Sequence, residues 1–151
     1  MQPSKRRILF IEDHDDTREF ISLVLKQEGF EVVTGDSISS GMQLAKAERF
    51  DLYLLDSWLP DGSGLELCKS IRKFDQRTPI LFYSAAAYES DRVLALQSGA
   101  QAYLVKPTQT NQLCTLVIEL IERSSREGSI ETSRIGLSEM AGPKSSEENL
   151  E

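Results

Sequence analysis

A short apolar run that ends at a single aspartate constrains the fold of this chain more than any other feature. Leu52 to Leu55 is continuously apolar, Asp56 follows it, and Pro60, Asp61 and Gly62 then require a loop. Four apolar residues are too few to span a membrane, and they are typical of a strand buried on both faces of a parallel sheet. Asp56 is therefore predicted to lie where a buried strand leaves the sheet, which is the edge where open α/β sheets bind ligands.

Four further strand patterns alternate with helical patterns along the chain. Strands are predicted at 8–11, 30–34, 79–84 and 102–106, and apolar residues recur at helical spacing after each strand, ending with 113–121. Short connections between alternating strands and helices require parallel pairing with right-handed crossovers. The sequence therefore predicts a three-layer, doubly wound α/β domain in which five helices cover both faces of a five-stranded parallel sheet.

Composition limits the partners and the compartment. The chain has 151 residues and a net charge of −7, which argues against nucleic acid as a direct partner because phosphate binding needs a basic surface. It has no apolar stretch long enough for a membrane span or a signal peptide, so we expect a cytoplasmic protein without membrane contact. Cys68 and Cys114 are then expected to be reduced core residues.

The chain divides at the end of the last helical pattern. Residues 5–123 are predicted to form the folded domain, whereas 124–151 are rich in serine, glutamate and glycine and are predicted to be a flexible tail, or a segment ordered only against a neighbour. About 28 residues are too few for a further effector domain of usual size.

Charged and hydroxyl side chains follow four of the predicted strands, and parallel strands bring their carboxyl ends to one edge. Glu12, Asp13 and Asp56 would repel one another there, and Mg²⁺ offsets such repulsion while accepting phosphate oxygens. Lys106 adds a positive charge, and Ser84 can donate a hydrogen bond to an oxyanion. The combination predicts phosphoryl transfer to a carboxylate, with Asp56 as the nucleophile.

These residues resemble the receiver domain of two-component response regulators, the CheY-like family. The motifs that carry the resemblance span about residues 5–123 and stand in the family's order: Glu12-Asp13, Asp56, Pro60-Asp61-Gly62, Ser84, Gly99-Ala100, Tyr103 and Lys106-Pro107. The resemblance implies the flavodoxin-like strand order 2-1-3-4-5. It also implies a phosphoacceptor signalling domain, which is not an enzyme apart from the self-catalysed phosphorylation and dephosphorylation of Asp56.

The resemblance further implies a metal site and a phosphoryl donor. Mg²⁺ or Mn²⁺ would be held by Asp13, Asp56 and the backbone carbonyl of Trp58, with Glu12 acting through water. Asp56 would accept a phosphoryl group from a phosphohistidine of a sensor kinase or phosphotransfer protein, while Lys106 and Ser84 hold its oxygens. The family also implies a cis peptide bond at Lys106-Pro107, which is accessible only because proline follows.

A conformational switch is also part of the resemblance. On phosphorylation Ser84 would move toward the phosphoryl oxygens, and Tyr103 would turn inward into the vacated space. The surface formed by the fourth helix, fifth strand and fifth helix would then bind a downstream protein target, or a second copy in a phosphorylation-dependent homodimer.

Three alternatives stay open at this point. The chain could be the receiver part of a larger DNA-binding regulator or hybrid kinase. A haloacid-dehalogenase-like aspartyl-phosphate phosphatase would need a second aspartate two residues after the nucleophile, where Trp58 stands. A nucleotide-binding flavodoxin-like protein would need a glycine- or hydroxyl-rich loop after the first strand, where Glu12 and Asp13 stand. Trp58 itself either shields an acyl phosphate from water or is a surface aromatic without a kinetic role.

Overall fold

A five-stranded parallel sheet forms the centre of the domain. The structure is a computed structural model that describes residues 4–107 and 109–141. The strands are β1 (Arg7–Ile11), β2 (Glu31–Gly35), β3 (Leu52–Leu55), β4 (Ile80–Ser84) and β5 (Ala102–Val105). They pair in the order β2-β1-β3-β4-β5, and every pair is parallel. The predicted sheet and the strand order implied by the resemblance are confirmed.

Five helices lie on the two faces of the sheet. They are α1 (Asp15–Gln27), α2 (Ile38–Ala47), α3 (Gly64–Arg72), α4 (Glu89–Gln97) and α5 (Leu113–Ala141), and a 3₁₀ turn over Thr110–Gln112 precedes α5. Successive strand residues point to opposite faces, and both sets of side chains are buried. One core joins Phe10, Leu54 and Leu81 to α1 and α5, and the other joins Leu55 and Phe82 to α2, α3 and α4. This arrangement confirms the three-layer prediction.

Capping groups set where the helices begin and end. Ser37 caps α2, and its side chain accepts a hydrogen bond from the backbone N–H of Ser40. Gly29 follows α1 with a φ of +99°, a left-handed conformation that favours glycine. These two residues therefore fix the turns on either side of β2.

The segment after Asp56 is more ordered than the predicted loop. Trp58–Leu59 and Gly62–Ser63 pair as a two-stranded antiparallel hairpin. Both carboxylate oxygens of Asp61 accept backbone N–H groups at the start of α2, from Ile38 at 2.8 Å and from Ser39 at 3.1 Å. The hydrogen bond from Ile38 is the main reason that the pKa of Asp61 is lowered. The hairpin is thereby tied to α2, and Ser63 caps α3 directly after it.

Helix α5 runs well past the predicted end of the folded domain. It continues to Ala141, because the residues after Arg123 include no proline before Pro143 and contain good helix formers such as glutamate and arginine. The predicted domain boundary at residue 123 falls inside this helix. The flexibility of the tail stays a prediction, and residues 142–151 lie outside the described part of the chain. Among the described helices, none is both long enough and apolar enough to cross a membrane.

Candidate functional site

Four strand ends bring the predicted site residues together. Glu12 and Asp13 follow β1, Asp56 follows β3, Ser84 ends β4 and Lys106 follows β5. Backbone hydrogen bonds continue the sheet into this edge: the N–H of Asp56 donates to the carbonyl of Ile11 at 3.1 Å, and the N–H of Lys106 donates to the carbonyl of Ser84 at 2.8 Å. The parallel register thus places side chains that are far apart in sequence at one end of the sheet.

Three carboxylates form the centre of the site. Oxygen atoms of Glu12, Asp13 and Asp56 all lie within 4.8 Å of one another, and this is the one such acidic group found among the described residues. Glu12 is 1% exposed and Asp56 is 6% exposed, whereas Asp13 faces solvent. Burial, followed by the negative charge of Glu12, raises the pKa of Asp56 to about 6. The site therefore favours a cation near Asp56.

Lys106 supplies a positive charge from the opposite side. Its Nζ lies 2.8 Å from Oε1 of Glu12 and 3.5 Å from Oδ2 of Asp56. The ammonium also lies 5.6 Å from the ring centre of Tyr83. Burial alone would lower the pKa of Lys106, but the hydrogen bond with Glu12 and the charge of Asp56 raise it overall. Lys106 is therefore held as a cation against two buried acids.

The backbone around Lys106 is also fixed. The Lys106-Pro107 peptide bond is cis, as the resemblance implies. The side chain of Gln109 accepts a hydrogen bond from the N–H of Val105 at 2.8 Å, and its N–H donates to the carbonyl of Val105 at 3.0 Å. The loop after β5 thus closes on the end of its own strand.

Glu12 has neighbours that the sequence did not indicate. Its second carboxylate oxygen accepts the N–H of His14 at 3.1 Å, and its backbone carbonyl accepts a hydrogen bond from Arg18 at 2.7 Å. Arg18 also pairs with Asp15 on α1. No motif marked Arg18, because its role depends on how α1 packs beside the end of β1. The ring of His14 contacts Thr17 and is not part of the acidic group.

The two predicted switch residues meet at the backbone of Ala86. Ser84 is completely buried, and its Oγ accepts the N–H of Ala86 at 3.1 Å. Tyr103 donates its hydroxyl proton to the carbonyl of Ala86 at 2.7 Å, and its ring stacks on Phe82 at 5.9 Å. Tyr103 therefore lies inward in this structure while Ser84 still binds the N–H of Ala86, so the expectation that Tyr103 turns inward only into space vacated by Ser84 is not met. The hydroxyl of Ser57 contacts Tyr103 at 3.4 Å. Ser57 is a further residue that the sequence did not indicate.

Trp58 stands two residues after Asp56, and its side chain faces solvent. Its side chain is 66% exposed, and it borders an open groove lined by Ala85, Ala86, Ala87 and Tyr88. The role of its backbone carbonyl as a metal ligand stays a prediction. The exposed indole, two residues after Asp56 in the chain, nevertheless gives the site a fluorescent reporter.

The donor set fits a small divalent cation. Mg²⁺ prefers oxygen ligands, accepts one or two carboxylates and keeps several waters. Asp13 and Asp56 offer carboxylate oxygens, the exposure of Asp13 leaves room for water, and the buried Glu12 lies within reach. Mn²⁺ suits the same oxygen ligands. The residues present therefore fit either metal.

We expect Asp56→Asn to raise the stability of the protein in a metal chelator. The amide removes one of three crowded carboxylates, and an upward pKa shift to about 6 means that ionised Asp56 opposes folding above that pH. The gain should be on the order of 1 to 3 kcal/mol at neutral pH. It should shrink as the pH falls toward 4, where Asp56 is protonated in the folded wild type. Urea unfolding at several pH values checks this, and equal stability of both proteins at neutral pH would contradict it.

Comparisons with known proteins agree on one family. The family model described as "Response regulator receiver domain" matches residues 8–118. Transcriptional regulatory protein AfsQ1 of Streptomyces coelicolor is 38% identical over 120 residues, which cover 80% of this chain and 53% of AfsQ1. The chain spans about half the length of the curated relatives it matches.

Solved structures give the same result. A CheY-like response regulator receiver domain protein from Methanospirillum hungatei superposes with a TM-score of 0.78 at 28% identity, covering 82% of this chain and 99% of that one. The response regulator TrrA of Thermotoga maritima, solved in complex with Mg²⁺-BeF, superposes with a TM-score of 0.70 at 31% identity, covering 76% of this chain and 98% of that one.

Proposed function

This chain belongs to the response regulator receiver domain family, and we propose that it accepts a phosphoryl group on Asp56 from a phosphohistidine of a sensor kinase or a histidine phosphotransfer protein. The observation that carries the proposal is the position of Asp56. It is a buried carboxylate at the end of the central strand, grouped with Glu12 and Asp13 and faced by Lys106 at 3.5 Å. The family's members act in two-component signalling, so the proposed reaction serves signal transfer rather than metabolic turnover.

The two oxygens of Asp56 have different surroundings. Oδ1 accepts the N–H of Ser57 at 2.7 Å, whereas Oδ2 faces the ammonium of Lys106. In the transfer, one carboxylate oxygen of Asp56 forms a bond to phosphorus while the bond between phosphorus and the imidazole nitrogen breaks. The electron pair of the broken phosphorus–nitrogen bond stays with the imidazole. The hydrogen bond from Ser57 orients the carboxylate for this step.

Asp13, Asp56, the backbone carbonyl of Trp58 and, through water, Glu12 would hold Mg²⁺ or Mn²⁺. A bound divalent cation supplies neutralisation of the negative charge on the transferring group. The structure of TrrA with Mg²⁺-BeF supports this proposal by similarity. Lys106 would stabilise a further phosphoryl oxygen, and Ser84 would donate to another after it leaves the N–H of Ala86.

The output surface proposed for this chain comprises α4, β5 and α5. Tyr103 on β5 and Ser84 on β4 both bind Ala86 in the loop before α4, so a movement of Ser84 would be transmitted to that loop. Leu94 on α4 is exposed and available to a downstream protein or to a second copy. We propose that phosphorylation changes the affinity of this surface for its protein partner.

A second candidate function follows from the length of the relatives. The matched relatives are about twice as long as the part that this chain covers, and AfsQ1 is a transcriptional regulatory protein. A receiver domain that works within a longer DNA-binding regulator would share all of the chemistry above. Expression of the complete gene and measurement of DNA binding before and after phosphorylation would test this candidate.

The fluorescence of Trp58, the chain's one tryptophan, tests the site directly. We expect Mg²⁺ and then beryllofluoride to change its emission, because Trp58 stands two residues after Asp56 and borders the groove at the loop before α4. Asp56→Asn should abolish the beryllofluoride response, whereas the exposed control Asp36→Asn should keep it. A beryllofluoride response that is unchanged in Asp56→Asn would refute the assignment.

Acetyl phosphate provides a chemical test of the same residue. Mass spectrometry of the wild type should show one added phosphoryl group that hydroxylamine removes, as an acyl phosphate requires. Asp56→Asn should remain unmodified, and Asp36→Asn should behave like the wild type. A modification that is stable to hydroxylamine and lies on a serine would count against the mechanism.

A further inference from the structure

We propose that Ser57 is a positioning residue that holds Tyr103 inward. It thereby couples Asp56 to the loop before α4, residues 85–88. The proposal deepens the proposed function, because it gives the phosphoacceptor a direct hydrogen-bonded route to the switch tyrosine. It concerns a residue that neither the strand-end pattern nor the family motifs indicated. The route is Asp56, Ser57, Tyr103 and Ala86, and each step is a contact in the structure.

The position of Ser57 follows that of Asp56. Its N–H donates to Oδ1 of Asp56 at 2.7 Å, and its carbonyl accepts the N–H of Gly64 at 2.8 Å. Ser57 is 9% exposed, so the protein surrounds its side chain. A change at the Asp56 carboxylate therefore reaches the Ser57 backbone through one hydrogen bond.

The direction of the contact between Ser57 and Tyr103 can be deduced from the proton count. A phenol carries one proton, and Tyr103 donates it to the carbonyl of Ala86 at 2.7 Å. At the 3.4 Å contact Ser57 must then be the donor and Tyr103 the acceptor. The hydroxyl of Ser57 thus donates to Tyr103, and the hydroxyl of Tyr103 donates to the carbonyl of Ala86. Two hydrogen bonds that follow one another in the same direction strengthen each other.

The same backbone position receives the second switch residue. Ser84 accepts the N–H of Ala86 at 3.1 Å, so Ala86 is bound on its N–H by Ser84 and on its carbonyl by Tyr103. Ser57 therefore acts, through Tyr103, on the same residue whose N–H Ser84 would release when it moves toward a phosphoryl group. Ala86 thus anchors the loop between β4 and α4 to Ser84 on one strand and to Tyr103 on the next.

Burial makes the contact effective although it is long. A distance of 3.4 Å exceeds the usual range for two hydroxyls, so the bond itself is weak. Within the described part of the chain, Tyr103 is the hydrogen-bond partner found for the Ser57 hydroxyl. If Tyr103 turned outward, a buried donor would lose that partner, which costs free energy. The contact from Ser57 therefore shifts the equilibrium of Tyr103 toward the inward orientation but still allows the outward one.

The test measures the orientation of Tyr103 by fluorine NMR of the full chain labelled with 3-fluorotyrosine. The signal of Tyr103 is assigned with Tyr103→Phe, and the inward and outward populations are measured without any added metal or phosphoryl analogue. We expect Ser57→Ala to reduce the ratio of inward to outward forms about fivefold, the effect of one weak hydrogen bond. Ser57→Thr, which keeps the hydroxyl, should restore the wild-type ratio. An unchanged ratio in Ser57→Ala, or a loss in Ser57→Thr equal to that in Ser57→Ala, would overturn the proposal.

A double-mutant cycle separates this coupling from a merely structural role. Ser57→Ala should weaken beryllofluoride binding by at most about fivefold in the wild-type background and should have no effect in the Tyr103→Phe background. Equal losses in both backgrounds would show that Ser57 acts without Tyr103 and would overturn the proposal. Because the NMR populations are measured without beryllofluoride, they report on Ser57 even if Asp56→Asn contradicts the proposed function.

Discussion

Replacement of Gly64 by alanine is expected to destabilise the domain severely and to displace the phosphoacceptor at the same time. A Cβ at this position would lie 2.0 Å from the backbone oxygen of Asp56 and 3.2 Å from the ring of Phe82. The first of these atoms belongs to the backbone, which cannot move aside as a flexible side chain can. Phe82 is fully buried between β3 and β5, so it also has little room to yield. We expect a loss of about 3 kcal/mol or more, the upper end of what overpacking costs.

Gly29→Ala is the matched control for this substitution. A Cβ on Gly29 would meet nothing within 4 Å, but the φ of +99° is unfavourable for alanine. The expected loss is about 1 kcal/mol from backbone strain alone. Both variants are compared by urea unfolding and by beryllofluoride titration of Trp58. Only Gly64→Ala should impair beryllofluoride binding, since only that Cβ presses on Asp56. A Gly64→Ala protein with wild-type stability and wild-type binding would disprove the argument.

The core strands could be predicted because their signal is local. Leu52 to Leu55 is apolar at every position and is buried on both faces, as the sequence indicated. The hairpin after Asp56 could not be predicted in this way. Trp58–Leu59 and Gly62–Ser63 are only two residues each, and their position depends on Asp61 binding the start of α2, a contact between distant parts of the chain. The continuation of α5 was missed because a composition typical of linkers is also compatible with helix.

The site shows the same division between local and non-local information. Glu12, Asp56 and Lys106 could be placed together, because parallel strands share one edge and each residue ends its own strand. Arg18 and Ser57 could not, because their partners are a backbone carbonyl and a phenol that only the packed structure brings near. The orientation of Tyr103 depends on the same packing and lies beyond any sequence pattern.

Lys106→Met should be among the most destabilising substitutions at the site. The ammonium lies 2.8 Å from Glu12, a carboxylate that is 1% exposed, and 3.5 Å from Asp56. Methionine retains much of the packing volume but removes the charge, so two buried acids are left facing each other. Removal of one partner from a buried ion pair costs about 3 to 5 kcal/mol. The loss should appear in urea unfolding of the metal-free protein at neutral pH.

The double variant Lys106→Met with Glu12→Gln identifies the cause of that loss. If the uncompensated carboxylate of Glu12 is responsible, the amide should recover most of the stability, and the cycle should show strong coupling between the two positions. Lys46→Met is the matched control, because Lys46 is exposed and contacts the ring of Phe74 rather than a buried acid. Its effect should stay within about 0.5 kcal/mol. A double variant as unstable as Lys106→Met alone would mean that Lys106 supports the fold by packing. In that case the proposal that the charge of Lys106 offsets the carboxylates of Glu12 and Asp56 would be wrong.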